Sequence, residues 1–208
     1  MSEEPPFPAG PEAVNLPLIL ASGSEARASM LRAAGLGVIL HPANVDEESL
    51  RQALRADRVT TEAAAEALAE MKASKVALRY PAGIIIAADQ LLECGGVWFE
   101  KPVDRDHAFA SLRTLSGQMH RLVSSVVVYK NGARIWHHTD AAEITMRELD
   151  DAYIDRYLDC IGDDVFSTVG GYKIEGLGLH LFAKVRGDHF TILGMPLLPL
   201  IDILREQG

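Results

Sequence analysis

The sequence predicts an α/β protein built around a mixed β-sheet. In the first half of the chain, short apolar runs alternate with helical segments, which favours strands joined by crossover connections. The second half carries a β-hairpin signal, Asn131-Gly132, between two β-rich runs. Crossovers favour parallel strands and the hairpin adds antiparallel ones, so both kinds of pairing are expected in one sheet.

The elements of the first half follow from apolar spacing and helix stop signals. Leu18–Leu20 and Val38–Leu40 are short apolar runs typical of strands. Residues 25–32 have a helical pattern that Gly35 stops. Residues 61–79 are rich in Ala, Leu, Glu and Lys, which favours a helix. Residues 83–88 form a continuous β-branched run, typical of a strand covered on both faces.

The second half mixes two further kinds of element. Asp104 is placed to cap a helix that runs to Leu115. The remaining predicted elements are a hairpin of residues 122–129 and 133–136, an amphipathic helix at 150–158, a chain reversal at 186–188 and a closing helix at 196–204.

Composition narrows the class of function. The chain has 208 residues, of which 48% are hydrophobic and 24% charged, as in an ordinary globular protein. The net charge of −9 argues against a grip on a nucleic-acid polymer, which needs cations to neutralise phosphates. Cys94 and Cys160 lack metal-type spacing and are expected to be reduced thiols.

The domain organisation is expected to be simple. Residues 1–15 are acidic and proline-rich, which predicts a flexible tail ahead of a single domain over residues 16–208. They lack the basic start of a signal peptide, and no segment approaches the roughly 20 apolar residues of a membrane span. A cytoplasmic protein without a membrane partner is therefore expected.

Two strand ends carry candidate chemistry. In the turn Ser22-Gly23-Ser24, backbone N–H groups at a helix start can bind a phosphate, and Arg27 can add a bidentate contact. An ordinary strand–helix connection with serine caps explains the same residues. Asp89, at the carboxyl end of the strand predicted at 83–88, suits metal binding or general-base work. A helix cap or turn former is the alternative.

Two later segments are weaker candidates. Glu100-Lys101-Pro102 places a charge after a strand, fixed by a proline, although a lone lysine there is usually solvated. Residues 172–176 (Tyr-Lys-Ile-Glu-Gly) combine polar and aromatic groups, and a strand with an alternating polar face explains them equally well.

Taken together, the order and spacing of these segments resemble the Maf family of nucleoside triphosphate pyrophosphatases. The resemblance covers the chain from about Leu16. It rests on Leu18-Ile-Leu-Ala-Ser-Gly-Ser24 with Arg27, Val45-Asp46-Glu47, Ala69-Glu-Met-Lys72-Ala73, Ile86-Ala-Ala-Asp89, Lys101-Pro102, Leu115-Ser-Gly117 with His120, Gly171-Tyr172 with Glu175-Gly176, and Leu193-Gly-Met-Pro-Leu197.

The resemblance implies a fold, a reaction and a set of site residues. The fold is a two-lobed Maf/ITPase-like structure around a long twisted mixed sheet with a central nucleotide cleft, commonly as a homodimer. The reaction is hydrolysis of a nucleoside triphosphate to the monophosphate and pyrophosphate with a divalent cation, Mg²⁺ or Mn²⁺. Asp89 corresponds to the general base and Glu47 to a metal ligand. The triphosphate ligands implied are Ser24, Arg27, Lys72 and Lys101.

Three positions bear on the base of the nucleotide. Gln90 and Glu175 resemble the branch of the family that acts on 7-methyl-GTP. The branch that resembles pyrimidine triphosphatases has threonine and glutamine at these two positions. A carboxylate such as Glu175 can accept both donors of a guanine edge. Ala26 departs from the family pattern, because it removes a side chain that could stack on a cationic base. The alternatives are a dTTP or UTP pyrophosphatase, or a nucleotide-binding regulator of division with weak or no catalysis.

Overall fold

A long mixed sheet runs through residues 16–207, the part of the chain that the computed structural model describes. Along this part the strands are β1 (Leu18–Leu20), β2 (Val38–Leu40), β3 (Ile84–Cys94), β4 (Val97–Phe99), β5 (Met119–Lys130), β6 (Ala133–Met146) and β7 (Phe182–Arg186). Their order is β2-β1-β3-β5-β6-β7, with β4 paired to β3 off this path. β1 is parallel to β2 and β3, whereas β5, β6 and β7 pair antiparallel. The predicted α/β class with a mixed sheet is confirmed.

The neighbours of β3 leave a gap along one of its edges. β1 pairs only with residues 84–86, and β4 pairs only with residues 92–94. On the other edge, β5 pairs without a break from Ile84 to Glu93. Residues 87–91 thus have a partner strand on one edge only, among the residues described. The prediction that the strand ends before Asp89 is wrong, because the ladder with β5 carries the strand through Asp89 to Cys94.

Helices cover both faces of the sheet. They are α1 (Glu25–Ala33), α2 (Glu47–Ala56), α3 (Thr61–Ala77), α4 (Arg105–Leu115), α5 (Asp151–Ile161), α6 (His189–Ile192) and α7 (Leu197–Gln207). The helices predicted near residues 25–32, 61–79, 104–115, 150–158 and 196–204 are confirmed with small shifts at their ends. Side-chain caps begin most of them, as Asp104 does for α4 by accepting from the N–H of His107.

Two helices, α2 and α6, were not predicted. α2 begins after Asp46, whose carboxylate accepts from the N–H of Ser49, and its Leu50 and Leu54 pack partly buried against α3. α6 is a single turn after Asp188, whose carboxylate caps Thr191. Both helices matter for the site, because α2 begins with Glu47 and α6 leads to Gly194.

Alternate side chains of β1, β3 and β5 build two cores on opposite faces. On one face, Ile85 and Ala87 pack against Ala69, Ala73 and Val76 of α3. On the other, apolar residues of the same strands pack against α1 and α7. A third core lies towards the far end of the long strands, with Leu92, Leu112, Leu122 and Ile144 among its members. Asp89 lies on β3 between these two ends.

The hairpin is confirmed, and its strands are longer than predicted. Asn131 and Gly132 both have positive φ, 54° and 77°, as a two-residue hairpin turn requires. The segment between α5 and β7 is instead made of 3-10 turns at Gly162–Ser167, Val169–Gly171 and Leu177–Leu181. A strand at residues 172–176 is therefore not formed, because the chain folds back here and buries Tyr172 in the core.

The tail predicted at residues 1–15 lies outside the described residues. No helix within residues 16–207 has the length and apolar character needed to span a membrane.

Candidate active site

The gap beside β3 holds a cluster of three charged side chains, two of them buried and the third partly exposed. Lys72, on α3, extends to Asp89 on β3, and its Nζ donates to Asp89 Oδ1 at 2.5 Å. Glu47, at the start of α2, places its Oε2 at 3.0 Å from the same Nζ. Lys72 and Asp89 are both buried, with 8% and 5% of their surface exposed. Buried charges need partners of opposite charge, and Lys72 and Asp89 are partners of one another.

Asp89 presents a second oxygen that lacks such a partner. Its Oδ2 is buried and accepts no hydrogen bond from the residues that the structure describes. Buried polar atoms are nearly always paired in proteins, so an orphaned acceptor in a cleft points to water, a cation or a ligand at that atom. Asp89 is therefore held by one oxygen and available for chemistry at the other.

The second part of the site is the turn from β1 to α1. The hydroxyl of Ser24 caps α1 by accepting from the N–H of Arg27 at 3.5 Å. Ser22 Oγ accepts from the N–H of Ser24 at 3.1 Å and from Arg27 Nη1 at 3.3 Å. Arg27 Nε donates to the carbonyl of Gly194 at 2.9 Å. These contacts fix the guanidinium from two sides and leave N–H groups on Nη1 and Nη2 for a ligand.

Electrostatics link this turn to the carboxylates and to Lys101, which follows β4. Burial lowers the pKa of Arg27, while the charges of Asp89 and Glu47 oppose the shift. The pKa of Lys101 is also lowered, first by desolvation of its ammonium and then by the positive charge of Arg27. Lys72 lowers it further, whereas Glu47 and Asp89 raise it.

Three cations and two carboxylates thus act on one another within one site, in which positive charges outnumber negative ones. We refer to this site as the cleft, after the nucleotide cleft that the family resemblance implies. Such a cleft suits a polyanion, because an anionic ligand relieves the mutual repulsion of the cations.

The donor set fits a divalent cation only with help from a ligand. Asp89 and Glu47 offer carboxylate oxygens, the donors that magnesium prefers, and Asp89 Oδ2 has no partner in the described part of the chain. Within residues 16–207 no group of three or more His, Cys, Asp or Glu side chains is placed to hold a metal. Magnesium often takes one or two carboxylates and completes its shell with phosphate oxygens and water. These two residues fit that pattern.

The three residues predicted to select the base lie on three different segments of the chain. Ala26 is exposed in the first turn of α1, and Glu175 is exposed between two 3-10 turns. No hydrogen bond or ion pair in the described chain joins Glu175 to the Asp89 cluster. Gln90 follows Asp89 on β3, and its Nε2 donates to Ser124 Oγ at 3.0 Å and to the carbonyls of Thr191 and Ile192 at 3.1 and 3.0 Å.

Two contacts of Arg27 were not predicted from the sequence, those with Ser22 and with Gly194. Ser22 precedes Ser24 in the predicted phosphate turn, and a second hydroxyl there was an available signal. Gly194 has φ +102°, and an ideal Cβ on it would lie 3.4 Å from Arg27 Nη2. A glycine in an otherwise apolar stretch marks such close approach, but the sequence does not say what approaches.

The fold and this cleft define a class of protein: an α/β protein with a cationic, carboxylate-bearing site at a gap in its sheet. The family described as Maf-like protein matches residues 17–207. The chain therefore belongs to the Maf family, as the sequence motifs predicted.

Proteins related over nearly their whole length carry enzyme names. A nucleoside triphosphate pyrophosphatase of Paramagnetospirillum magneticum is 50% identical, over 91% of this chain and 98% of that protein. Another of Granulibacter bethesdensis is 45% identical, over 91% and 96%. A 7-methyl-GTP pyrophosphatase of Rhizobium etli is 43% identical, over 92% and 96%.

Proposed function

We propose that this chain is a nucleoside triphosphate pyrophosphatase, a hydrolase that converts a nucleoside triphosphate and water to the monophosphate and pyrophosphate. The observation that carries the proposal is Asp89, whose Oδ2 is buried and has no partner among the described residues, in a cleft with three cations. Curated relatives that cover more than nine-tenths of the chain bear the same enzyme name, which supports the reaction class.

Asp89 acts as the general base in this reaction. The water oxygen bonds to the α-phosphorus, and the bond from that phosphorus to the oxygen bridging to the β-phosphate breaks. One proton of the water passes to Asp89 Oδ2, and pyrophosphate leaves with the electron pair of the broken bond. Lys72 holds Oδ1 at 2.5 Å, so the orientation of the carboxylate is set before substrate arrives.

Arg27, Lys72 and Lys101 hold the triphosphate, together with Ser24 at the start of α1. A triphosphate carries three to four negative charges, and these cations approach one another closely enough to lower the pKa of Lys101. In phosphoryl transfer most of the acceleration comes from positioning and charge stabilisation. The cations therefore serve the leaving pyrophosphate as well as binding.

A divalent cation, Mg²⁺ or Mn²⁺, is the proposed cofactor, with Glu47 as its protein ligand. When bound, such an ion neutralises phosphate charge and polarises the phosphoryl group. Without it, Glu47 pairs with Lys72. The carboxylate of Glu47 is thus kept in the cleft in either case.

The proposed substrate is a guanine nucleotide of the 7-methyl-GTP type. Relatives named 7-methyl-GTP pyrophosphatase are 43% and 44% identical to this chain, which supports this choice. Glu175 accepts the N1–H and N2–H donors of the guanine edge, and the cationic methylated ring favours a carboxylate. Ala26 leaves open space beside the base, and Gln90 contributes to the choice of base from the face of β3 opposite to Asp89.

We also propose that the enzyme works as a homodimer in the cytoplasm, with a nucleotide as its partner and without a nucleic-acid polymer or membrane. The family resemblance implies this assembly. Light scattering should give twice the mass of one chain, and the mass of one chain would contradict it.

A nucleotide panel tests the function. Purified protein is incubated with GTP, 7-methyl-GTP, UTP, dTTP and ATP, each with Mg²⁺, Mn²⁺ or a chelator, and pyrophosphate release is measured. The proposal expects pyrophosphate from 7-methyl-GTP at the highest kcat/KM and none with chelator. A preference for UTP or dTTP would support the pyrimidine alternative. Binding without turnover of any nucleotide would support a regulator instead.

A further inference from the structure

The short helix α6 is held to the sheet by a glutamine next to the general base. Gln90 Nε2 lies 3.0–3.1 Å from three acceptors, Ser124 Oγ and the carbonyls of Thr191 and Ile192. An amide NH2 has two hydrogens, so the three acceptors share them. The donor end of Gln90 is therefore used entirely inside the protein.

Gln90 shares the anchoring of α6 with other side chains and holds its last residue, Ile192. Ser124 Oγ donates to the carbonyl of Thr191 at 2.8 Å. Thr191 Oγ1 donates to Asp140 Oδ2 at 2.8 Å, and the N–H of Thr191 donates to Asp188 Oδ2 at 2.8 Å. Along the described chain, Gln90 is the side chain that reaches the carbonyl of Ile192. That carbonyl lies two residues before Gly194.

Gly194 connects this helix to the phosphate site. Its N–H donates to the carbonyl of Thr191 at 3.0 Å, which continues the turn of α6. Its own carbonyl accepts from Arg27 Nε at 2.9 Å. An ideal Cβ on Gly194 would lie 3.4 Å from Arg27 Nη2 and 3.7 Å from Gln90 Oε1. Gln90, Gly194 and Arg27 thus meet at one point of the cleft.

We infer that Gln90 is a positioning residue for the triphosphate: it fixes α6 and the Gly194 carbonyl, which orients the Arg27 guanidinium. The inference rests on the proposed function for the role of Arg27 as a phosphate ligand. Its consequence is that position 90 affects the phosphate site through Arg27, in addition to any part that it has in the choice of base. The loss of Gln90 should therefore weaken the binding even of a polyphosphate ligand that has no base.

Inorganic tripolyphosphate is such a ligand. Its dissociation constant is measured by titration calorimetry with the full chain and Mg²⁺, for wild type, Gln90→Met, Arg27→Ala and the double variant. Met keeps the length of the side chain but donates no hydrogen bond. Gln52→Met, on the exposed face of α2, is the matched control. Gln90→Asn, one methylene shorter, serves as a second and milder variant should Gln90→Met unfold.

The expected result is binding about 5- to 20-fold weaker for Gln90→Met, with Gln52→Met unchanged. In the Arg27→Ala background, the same Gln90 change should weaken binding by less than about twofold, because its effect passes through Arg27. Folding of each variant is checked by thermal melting.

Three results would overturn the inference. They are unchanged tripolyphosphate affinity in the folded Gln90 variants, an equal loss with and without Arg27, or absence of tripolyphosphate binding by wild type. A different result would contradict the proposed function: a wild type that binds tripolyphosphate but hydrolyses no nucleoside triphosphate. In that case the calorimetric dissociation constants still test the coupling of Gln90 to Arg27.

Discussion

Lys72 and Asp89 form a buried ion pair that involves only one of the two carboxylate oxygens. Lys72 Nζ contacts Oδ1 at 2.5 Å, while Oδ2 has no partner within the described residues. The pair joins α3 to β3 at a position where, among the described residues, only one edge of β3 has a neighbouring strand. An oriented carboxylate with one open oxygen is the arrangement that a general base requires.

Replacing Asp89 by Asn tests that role. The amide has nearly the same shape but is a far weaker base, so turnover should fall by about 10²- to 10⁴-fold. Nucleotide affinity should change much less, since the cations remain. The measurement is kcat together with the dissociation constant, with the exposed Asp202→Asn as control. Turnover within a few-fold of wild type would remove Asp89 from the mechanism.

Lys72 and Lys101 should respond differently to truncation. Lys72→Ala leaves two carboxylates in the cleft without their shared cation, so it should lower both activity and the free energy of unfolding, the latter by about 3–5 kcal/mol. Residue 101 as a whole is exposed, although its ammonium is partly desolvated beside Arg27, so Lys101→Ala should lower activity alone. Thermal melts beside kcat/KM distinguish the two. A Lys101→Ala variant that loses stability in step with activity would favour a structural role for this lysine.

The lowered pKa of Lys101 predicts a pH dependence of substrate binding. Desolvation and the charges of Arg27 and Lys72 favour the neutral amine. Above this pKa the amine is uncharged and holds phosphate poorly, so KM should rise as the pH rises through it. Binding of the anionic substrate restores the charge and takes up a proton. Lys101→Arg stays protonated throughout and should flatten the profile. Identical KM profiles for wild type and Lys101→Arg would exclude this assignment.

Glu175→Gln tests the reading of the base. Glutamine places a donor against a guanine donor, which costs roughly 1–3 kcal/mol, or about 5- to 150-fold in kcat/KM for 7-methyl-GTP. UTP should lose much less, because uracil has an acceptor beside its N3–H. The ratio of kcat/KM for 7-methyl-GTP over UTP should therefore fall in the variant. Glu148→Gln, a second exposed glutamate, is the control. A ratio that holds steady would mean that Glu175 does not read the base.

Local patterns were enough to predict most of the fold. The apolar run Leu18–Leu20, the cap Asp104 and the Asn131-Gly132 turn each act within a few residues, and each element formed as expected. The strand containing Asp89 was predicted too short, because its continuation depends on β5, which lies about 35 residues further along the chain. Pairing across such a distance leaves no mark in the local sequence.

The candidate site shows the same division. Arg27 and Ser24 lie in one turn, so their proximity follows from the sequence. The pair of Lys72 with Asp89 depends on how α3 packs on β3, and the contact of Gln90 with Ile192 spans 102 residues. The motifs supplied the residues of the cleft, but only the packed structure shows which atom of Asp89 is open.

The phosphorus atom that water attacks distinguishes the proposed release of pyrophosphate from other hydrolyses of a nucleoside triphosphate. The wild-type protein hydrolyses the nucleoside triphosphate with the highest kcat/KM in H₂¹⁸O. The products are then separated, and their masses are measured by mass spectrometry. Attack at the α-phosphorus, with Asp89 as the base, predicts one ¹⁸O atom in the nucleoside monophosphate and none in the pyrophosphate. Label in the pyrophosphate, or release of a nucleoside diphosphate with labelled phosphate, would contradict the account.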